Sequence, residues 1–289
     1  MRLRLPLRMV AMVCAGLVTM SLAACTRNAA DAKPTISAGV PPAVTVAAAD
    51  FPSFWVAERV GGDAIDLRLT DAADLAASEA DLIAYVPGID PAVDAAVADL
   101  PDERVVDVVG DVSLLASVRN PQVKDPYAWF DPVNVATMAQ TLGRAMGQAS
   151  ATQFEALQYY GLRALSVQSD ALAVDQRLQD QFNPCQIATL VVEAPVLTYL
   201  AKAYAFDQVP LIAWEPGQET VEAIYYTLDA APAVRDAAAA AGVRALPVDT
   251  LTEGAPQDDL LQGVLDIADE IAAAQDCPLL TPSATDRPG

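Results

Sequence analysis

Histidine is absent from the 289-residue sequence, and basic residues are scarce, with 17 lysines and arginines against 38 aspartates and glutamates. Without imidazole, the protein lacks the commonest general base and any Ser-His or Cys-His pair. It also lacks the glycine-rich patterns Gly-x-Gly-x-x-Gly and Gly-x-x-x-x-Gly-Lys that cradle phosphates. A formal charge of −21 repels nucleic acid and anionic lipid headgroups. We therefore predict that the protein is not an enzyme and does not bind nucleic acid.

Long apolar runs are missing too, except near the start of the chain. A short stretch rich in arginine is followed by an apolar run from Met9 to Met20 and then by Leu22-Ala-Ala-Cys25. The run is too short for a spanning helix, and this order is typical of a secretory signal peptide over residues 1–24. Because the last four residues fit a bacterial lipobox, we predict acylation of Cys25. The alternative is an ordinary signal peptide followed by a chance cysteine.

The lipid would anchor the mature chain to the cell membrane on its extracytoplasmic side. Removal of residues 1–24 leaves 14 basic and 38 acidic residues, which gives a formal charge of −24. Residues 25–42 are small, polar and marked by prolines, so we predict a flexible tether between the lipid and the fold. Residues 279–289 are predicted to be a disordered tail.

Cysteine is rare, with four residues in the whole chain. Cys14 lies in the signal peptide and Cys25 is the predicted anchor, so Cys185 and Cys277 remain. An oxidising compartment favours a disulfide between them over two free thiols. A metal-thiolate site would have no further cysteine or histidine to complete it. The disulfide would close a loop of about 92 residues and stabilise the fold by about 4–5 kcal/mol.

Short apolar runs alternate with amphipathic segments along the rest of the chain, which predicts parallel α/β sheets with right-handed crossovers. In the first half, residues 43–150, we predict strands at 43–49, 65–69, 82–86 and 105–109, and helices at 54–60, 72–80, 91–100 and 133–147. In the second half, residues 183–278, we predict strands at 186–192, 208–214 and 243–248, and helices at 196–204, 221–230, 231–241 and 260–274. Proline within 208–214 indicates an edge strand or a bulge. Each half is predicted to form one α/β lobe.

A single long helix is predicted over residues 151–182. Apolar residues recur near helical spacing from Thr152 to about Gln181, so the helix would be about 45 Å long. Gly161 weakens this pattern locally without breaking it. A helix of this length exceeds what one domain needs, and we predict that it joins the two lobes.

The segment Asp125-Pro-Tyr-Ala-Trp-Phe-Asp-Pro132 carries two Asp-Pro turns around an aromatic cluster. Asp131 is predicted to cap the next helix, with Pro132 at its first position. The segment resembles the Asp-Pro-His-x-Trp-(Leu/Phe)-(Asp/Ser)-Pro signature of the zinc/manganese-type (cluster A-I) solute-binding proteins of ABC transporters. Residues Val191–Phe206 and Val248-Asp-Thr-Leu251 are similar to two further segments of that family, and the cysteine pair lies where many relatives have theirs.

Members of this family hold a metal ion between two lobes with histidines and carboxylates, so the resemblance implies where the ligands would lie here. Tyr127 occupies the position of one histidine. Ala194 occupies another, with Glu193 just before it. Asp249 matches the aspartate ligand. The remaining histidine position falls in a shortened stretch that contains Asp71.

Three interpretations of Tyr127, Glu193 and Asp249 stay open. First, they form a weak oxygen site, with Asp71 as a further donor. Oxygen donors suit hard ions such as manganese, calcium or magnesium better than zinc. Second, they line a cleft for another ligand, to which Glu215 would belong. Third, they have structural roles only, the aspartate as a helix cap and the tyrosine in packing.

The resemblance implies an extracytoplasmic substrate-binding lipoprotein that captures a ligand between its lobes and delivers it to an ABC permease in the membrane. A divalent metal ion is the candidate cargo, and we predict a monomer. The long helix would restrict hinge motion, so small lobe shifts are expected during release. The alternative is a pseudo-receptor, an interaction or regulatory lipoprotein that kept the scaffold without a metal cargo.

Overall fold

The computed structural model describes residues 39–277 except residues 42, 118, 119, 218, 219 and 256. The predicted signal peptide, the lipidation site Cys25, the tether up to residue 38 and the tail lie outside the described residues. Within the described part of the chain, eight strands form two four-stranded sheets.

The N-terminal lobe is built on one parallel sheet whose strand order is β2-β1-β3-β4. Its strands are β1 (Val44–Ala48), β2 (Ile65–Leu69), β3 (Leu82–Tyr85) and β4 (Val105–Asp107). Its helices are α1 (Phe51–Gly61), α2 (Ala72–Leu75), α3 (Pro91–Val97) and α4 (Pro132–Ala149). The two central strands are almost entirely buried apolar residues, as expected for a parallel sheet covered on both faces.

The C-terminal lobe repeats this arrangement, with a second parallel sheet of order β6-β5-β7-β8. In both lobes the second strand of the sequence is at one edge and the fourth at the other. The elements are β5 (Thr189–Val192), α6 (Thr198–Ala203), β6 (Asp207–Pro210), β7 (Ala223–Tyr226), α7 (Ala231–Ala241), β8 (Arg244–Pro247) and α8 (Leu260–Ala274). The proline of β6 therefore lies on an edge strand, as predicted.

One helix, α5 (Gln153–Phe182), runs for 30 residues and contacts both lobes. It packs on α4 and α1 in the N-terminal lobe and on α8 in the C-terminal lobe. The Tyr160 hydroxyl donates to the Ala64 carbonyl oxygen at 2.9 Å. Near the other end of the helix, Gln181 Nε2 donates to Asp269 Oδ1 at 2.7 Å. The predicted fold, two α/β lobes joined by a long helix, is confirmed.

Two predicted helices differ from the structure. The helix predicted at 221–230 is wrong, because residues Ala223–Tyr226 form the buried strand β7. A short apolar run between turns does not distinguish a buried strand from a helix by periodicity. The helix predicted at 72–80 is shorter in the structure, where α2 is a single turn, Ala72–Leu75. Leu75 is the only buried side chain of this turn.

A disulfide joins Cys185 to Cys277. Cys185 precedes β5, and Cys277 follows the last turn of α8, so the bond links the two ends of the C-terminal lobe. None of the described helices is both long and apolar enough to cross a membrane.

Candidate functional site

The two lobes meet where the segment 125–131 contacts the loop 249–255 that follows β8. Trp129 lies in a short 3-10 turn and is fully buried. Its indole Nε1 donates to the carbonyl oxygen of Thr250 at 3.1 Å. The backbone N–H of Phe51, at the start of α1, donates to the carbonyl oxygen of Thr252 at 3.1 Å. Both bonds join the N-terminal lobe to the same loop of the C-terminal lobe.

Tyr199 on α6 forms another connection across this junction. Its buried hydroxyl accepts from the backbone N–H of Leu115 and donates to the carbonyl oxygen of Asp125, both at 2.9 Å. Burial raises the pKa of Tyr199 to about 12. The hydroxyl therefore stays protonated at neutral pH and can keep both bonds.

Asp125 is fully buried beside this hydroxyl. Its Oδ1 accepts from the backbone N–H of Tyr127 at 2.9 Å, which is the Asp-Pro turn expected from the sequence. Its Oδ2 has no hydrogen-bond partner among the described residues. Burial raises the pKa of Asp125, and the bond from the Tyr127 N–H opposes this rise. The Thr198 hydroxyl donates to the Pro195 carbonyl oxygen at 2.6 Å.

Tyr127, the first predicted ligand, is half-buried at the junction and packs edge-on against Trp129, with ring centroids 5.5 Å apart. Burial, together with the charge of Asp125, raises the pKa of Tyr127, so the phenol is neutral at physiological pH. Asp131 caps α4 as predicted, because its side chain accepts from the Val133 N–H at 3.0 Å.

Glu193 directly follows β5 and is half-buried. Its backbone N–H donates to the carbonyl oxygen of Tyr225 at 2.8 Å, which extends the ladder between β5 and β7. Its Oε2 accepts from the Thr227 hydroxyl at 3.4 Å. The carboxylate therefore lies at the carboxyl end of the second sheet and is already hydrogen-bonded.

Asp249 directly follows β8 and is exposed. Its Oδ1 accepts from the Leu251 N–H at 2.9 Å, so the side chain stabilises the turn that starts the junction loop. It also lines a surface cavity of about 350 Å³ together with Asp266 and Glu270 of α8. The backbone of its loop reaches the junction, whereas its carboxylate borders a cavity that α8 lines.

Of the predicted ligands, Tyr127 lies at the junction, Asp249 borders a cavity lined by α8, and Glu193 follows β5 beside Thr227. Among the described residues, no group of three cysteine, aspartate or glutamate side chains is placed to hold an ion. Asp71 is exposed and caps α2 through the Asp74 N–H at 3.0 Å. Glu215 is exposed beside the turn at Gly217. The ligand set Tyr127, Glu193 and Asp249 remains a prediction.

Asp50 is a residue of this junction that the sequence analysis missed. It is 5% exposed and caps α1, with Oδ1 accepting from Ser53 N and Oδ2 from Val86 N, both at 2.8 Å. It therefore fixes the start of α1, whose Phe51 contacts the C-terminal lobe. Burial raises the pKa of Asp50 from 3.8 to about 6, against the effect of its hydrogen bonds. An aspartate one residue before Phe51-Pro52 is the signal that would have indicated a helix cap.

Comparison with solved structures gives the same fold. A zinc-bound variant of AdcAII from Streptococcus pneumoniae aligns with a TM-score of 0.66 and 18% identity, over 81% of this chain and 98% of that one. The laminin-binding protein Lbp of Streptococcus pyogenes gives 0.66 and 18%, over 81% and 99% of the two chains. Lmb of Streptococcus agalactiae, described as an adhesin with metal-transporting activity, gives 0.64 and 18%, over 80% and 99%.

Sequence comparison gives the family. No curated protein matches the chain in sequence. The family model of ZnuA, the periplasmic component A of the zinc-uptake complex, matches residues 56–274, from within α1 to the end of α8. Members of this family are solute-binding components of ABC transporters for metals and are not enzymes. The chain therefore belongs to the ZnuA family of zinc-uptake components.

Proposed function

We propose that this chain is a lipid-anchored, extracytoplasmic substrate-binding protein that works with an ABC permease of the metal-ion type. Family membership supports the role in transport, and the lipobox ending at Cys25 supports the anchor. One structural observation carries the transport role further. The carboxyl ends of β1 and β8 lead into the elements that meet at the junction, through the bonds from Phe51 and Trp129 to the loop 249–255. In open α/β sheets, ligands bind outside the carboxyl ends of the strands.

The donor chemistry of the junction favours a hard ion over zinc. The chain contains no histidine, and the predicted ligands Tyr127, Glu193 and Asp249 supply only oxygen. Carboxylate oxygens suit manganese, calcium or magnesium, whereas zinc sites favour imidazole nitrogen and thiolate sulfur. The Asp249 carboxylate borders the cavity lined by α8, so it would have to turn towards the junction to bind an ion together with Tyr127 and Glu193. We therefore expect weak binding that requires a small rearrangement of this loop.

A pseudo-receptor without metal cargo is the second candidate, and the packing of the junction favours it. Phe51 and Trp129 are buried there. A Cβ added to Gly254 would lie 2.6 Å from the Phe51 ring, so the loop is tightly packed against α1. Glu193 and Asp249 each accept a hydrogen bond already. In this case the scaffold would serve in interaction or regulation.

Thermal unfolding of the secreted chain carrying Cys25→Ser, with manganese, calcium, magnesium, zinc or EDTA, separates the two candidates. An ion at 100 times its Kd stabilises the folded state by about 2.7 kcal/mol, which gives a measurable rise in Tm. The transport proposal expects a rise with manganese or calcium that is lost in Glu193→Gln and Asp249→Asn. The matched control is Asp90→Asn, a helix cap on α3. If no ion changes Tm, the metal cargo is abandoned and the pseudo-receptor is favoured.

The anchor is tested separately by cell fractionation. We expect the wild-type chain in the membrane fraction and the Cys25→Ala variant in the soluble extracytoplasmic fraction. A wild-type chain found entirely in the soluble fraction would contradict lipidation at Cys25. The alternative of an ordinary signal peptide would then be correct.

A further inference from the structure

An apolar stripe on α5 is turned towards solvent. Phe154, Leu162, Leu165 and Leu172 are 74%, 38%, 55% and 45% exposed, respectively. Phe154, Leu165 and Leu172 lie within about 20° of one another around the helix axis, at about 100° per residue. The opposite face of α5, which includes Tyr160, is buried against the lobes. The helix therefore has two apolar faces, one buried against the lobes and one, the stripe, exposed to solvent.

The stripe also carries no charge, although the chain has 38 acidic residues. Between Phe154 and Leu172, the remaining positions on the same side are Gln158, Gly161 and Gln168, which are neutral. It extends over about 27 Å of helix. A contiguous apolar and uncharged strip on a strongly acidic protein is typical of an interaction surface.

We propose that this stripe binds the same stripe of a second copy of the chain, with the two α5 helices antiparallel. A two-fold axis beside residue 163 would pair Phe154 with Leu172 and Gly161 with Leu165, and each pair would occur twice. Such reciprocal pairing is what an isologous interface requires. A Cβ added to Gly161 would meet no atom within 4 Å, so this position is an open notch that Leu165 of the second copy can fill.

The exposed area is sufficient for a dimer of moderate strength. The four exposed side chains present roughly 400 Å² of apolar surface. A standard interface buries about 800 Å² per partner, of which about 450–520 Å² is apolar. The stripe would therefore supply most of the apolar part, and neighbouring polar residues such as Gln158 and Gln168 would form its rim.

A membrane surface fits the stripe less well than a second copy. Helices that lie on membranes carry lysine and arginine along the polar face, which attracts anionic lipids. The exposed side of α5 instead includes Glu155, Asp170 and Asp180, and its exposed Arg177 pairs with Asp269 at 3.6 Å. Two acidic copies also repel each other, but the uncharged stripe keeps the repelling groups away from the contact, and salt screens them. The dimer differs from the monomer predicted from the sequence.

Sedimentation velocity of the secreted chain carrying Cys25→Ser tests this inference. We expect a concentration-dependent dimer that becomes tighter as sodium chloride is raised, because screening reduces the repulsion between the two copies. Leu165→Glu should raise the dimer Kd by more than about tenfold, since two buried leucines are lost per dimer. The matched control is Ile212→Glu, which changes a residue 95% exposed outside the stripe and should leave the Kd unchanged.

The pairing itself is tested by cysteine crosslinking. The variant with both Phe154→Cys and Leu172→Cys should form a covalent dimer on oxidation. Each single variant should form no covalent dimer, because the two equivalent cysteines lie far apart across the axis. A chain that is monomeric at high-micromolar concentration overturns the proposal. Dimers that persist with Leu165→Glu also overturn it, as does binding to phosphatidylcholine vesicles that Leu165→Glu abolishes while the chain stays monomeric.

Discussion

Asp50 makes the stability of this protein depend on pH in a direction that can be calculated. The carboxyl group is buried, and its pKa in the folded state is raised from 3.8 to about 6. Between these values the folded state binds more protons than the unfolded state. The free energy of unfolding therefore falls as pH rises through this range. The stabilising contribution of the protonated Asp50 carboxyl is fully present below the pKa of the unfolded state, 3.8. It is lost as pH rises through the pKa of the folded state, about 6.

The magnitude follows from the size of this pKa change. In full, a rise from 3.8 to about 6 corresponds to about 3 kcal/mol. About half of that loss falls between pH 5 and pH 8, which gives about 1.5 kcal/mol in an accessible range. Work below pH 5 is avoided because the sequence pI is about 4.1, where the lack of net charge promotes association.

The perturbation is Asp50→Asn, and the assay is urea denaturation of wild type and variant from pH 5 to pH 8. The amide can still accept from Ser53 N but places a donor against Val86 N, and this mismatch adds a pH-independent loss of about 1–3 kcal/mol. The diagnostic quantity is the difference between wild type and variant. We expect it to fall by about 1.5 kcal/mol from pH 5 to pH 8, while the contributions of other groups cancel.

The control is Asp111→Asn, where the sign is opposite. Hydrogen bonds from the Thr141 hydroxyl and from Arg144 lower the pKa of Asp111. Stability from this group is present above the unfolded pKa and is lost only in acid, so the difference should be flat from pH 5 to pH 8. A flat difference for Asp50→Asn as well would refute the reasoning, because burial would then not have raised its pKa.

Three further predictions concern the junction and the disulfide. Trp129→Phe removes the indole donor to the Thr250 carbonyl oxygen and should lower the free energy of unfolding in urea by about 1–2 kcal/mol. Gly254→Ala places a Cβ 2.6 Å from a buried aromatic ring and should cost about 1–3 kcal/mol in the same assay through overpacking. Replacing Cys185 and Cys277 by serine should cost about 4–5 kcal/mol, and reduction by dithiothreitol should lower the Tm of the wild type but not of the variant.

Each of these has a control and an opposing outcome. For Gly254→Ala the control is Gly161→Ala, where a Cβ meets no neighbour and stability should rise by about 1 kcal/mol in dilute solution. Equal stability of Trp129→Phe and wild type would show that the bond across the junction contributes nothing. For the double serine variant, a Tm equal to that of the wild type would show that closing the 185–277 loop does not stabilise the fold.

Helices and strands whose apolar residues recur at a regular spacing were predictable from the sequence. The helix predicted from Thr152 to about Gln181 spans Gln153–Phe182, because a long periodic apolar pattern cannot fit any other element. The cap at Asp131 was predictable from local chemistry, since the side chain bonds a backbone group only two residues ahead. The buried strand Ala223–Tyr226 was mistaken for a helix, because its four buried residues carry no period of their own.

The sequence by itself determined the chemistry available at the junction: with no histidine in the chain, every donor among the predicted ligands is oxygen. Only the tertiary structure decided how those donors are used. Asp249 bonds the turn of its own loop, and Asp50, inconspicuous in the sequence, becomes a buried carboxylate with a raised pKa. The reason is physical: composition fixes which atoms are present, whereas burial and hydrogen-bond partners depend on residues that are distant in the chain and adjacent only after folding.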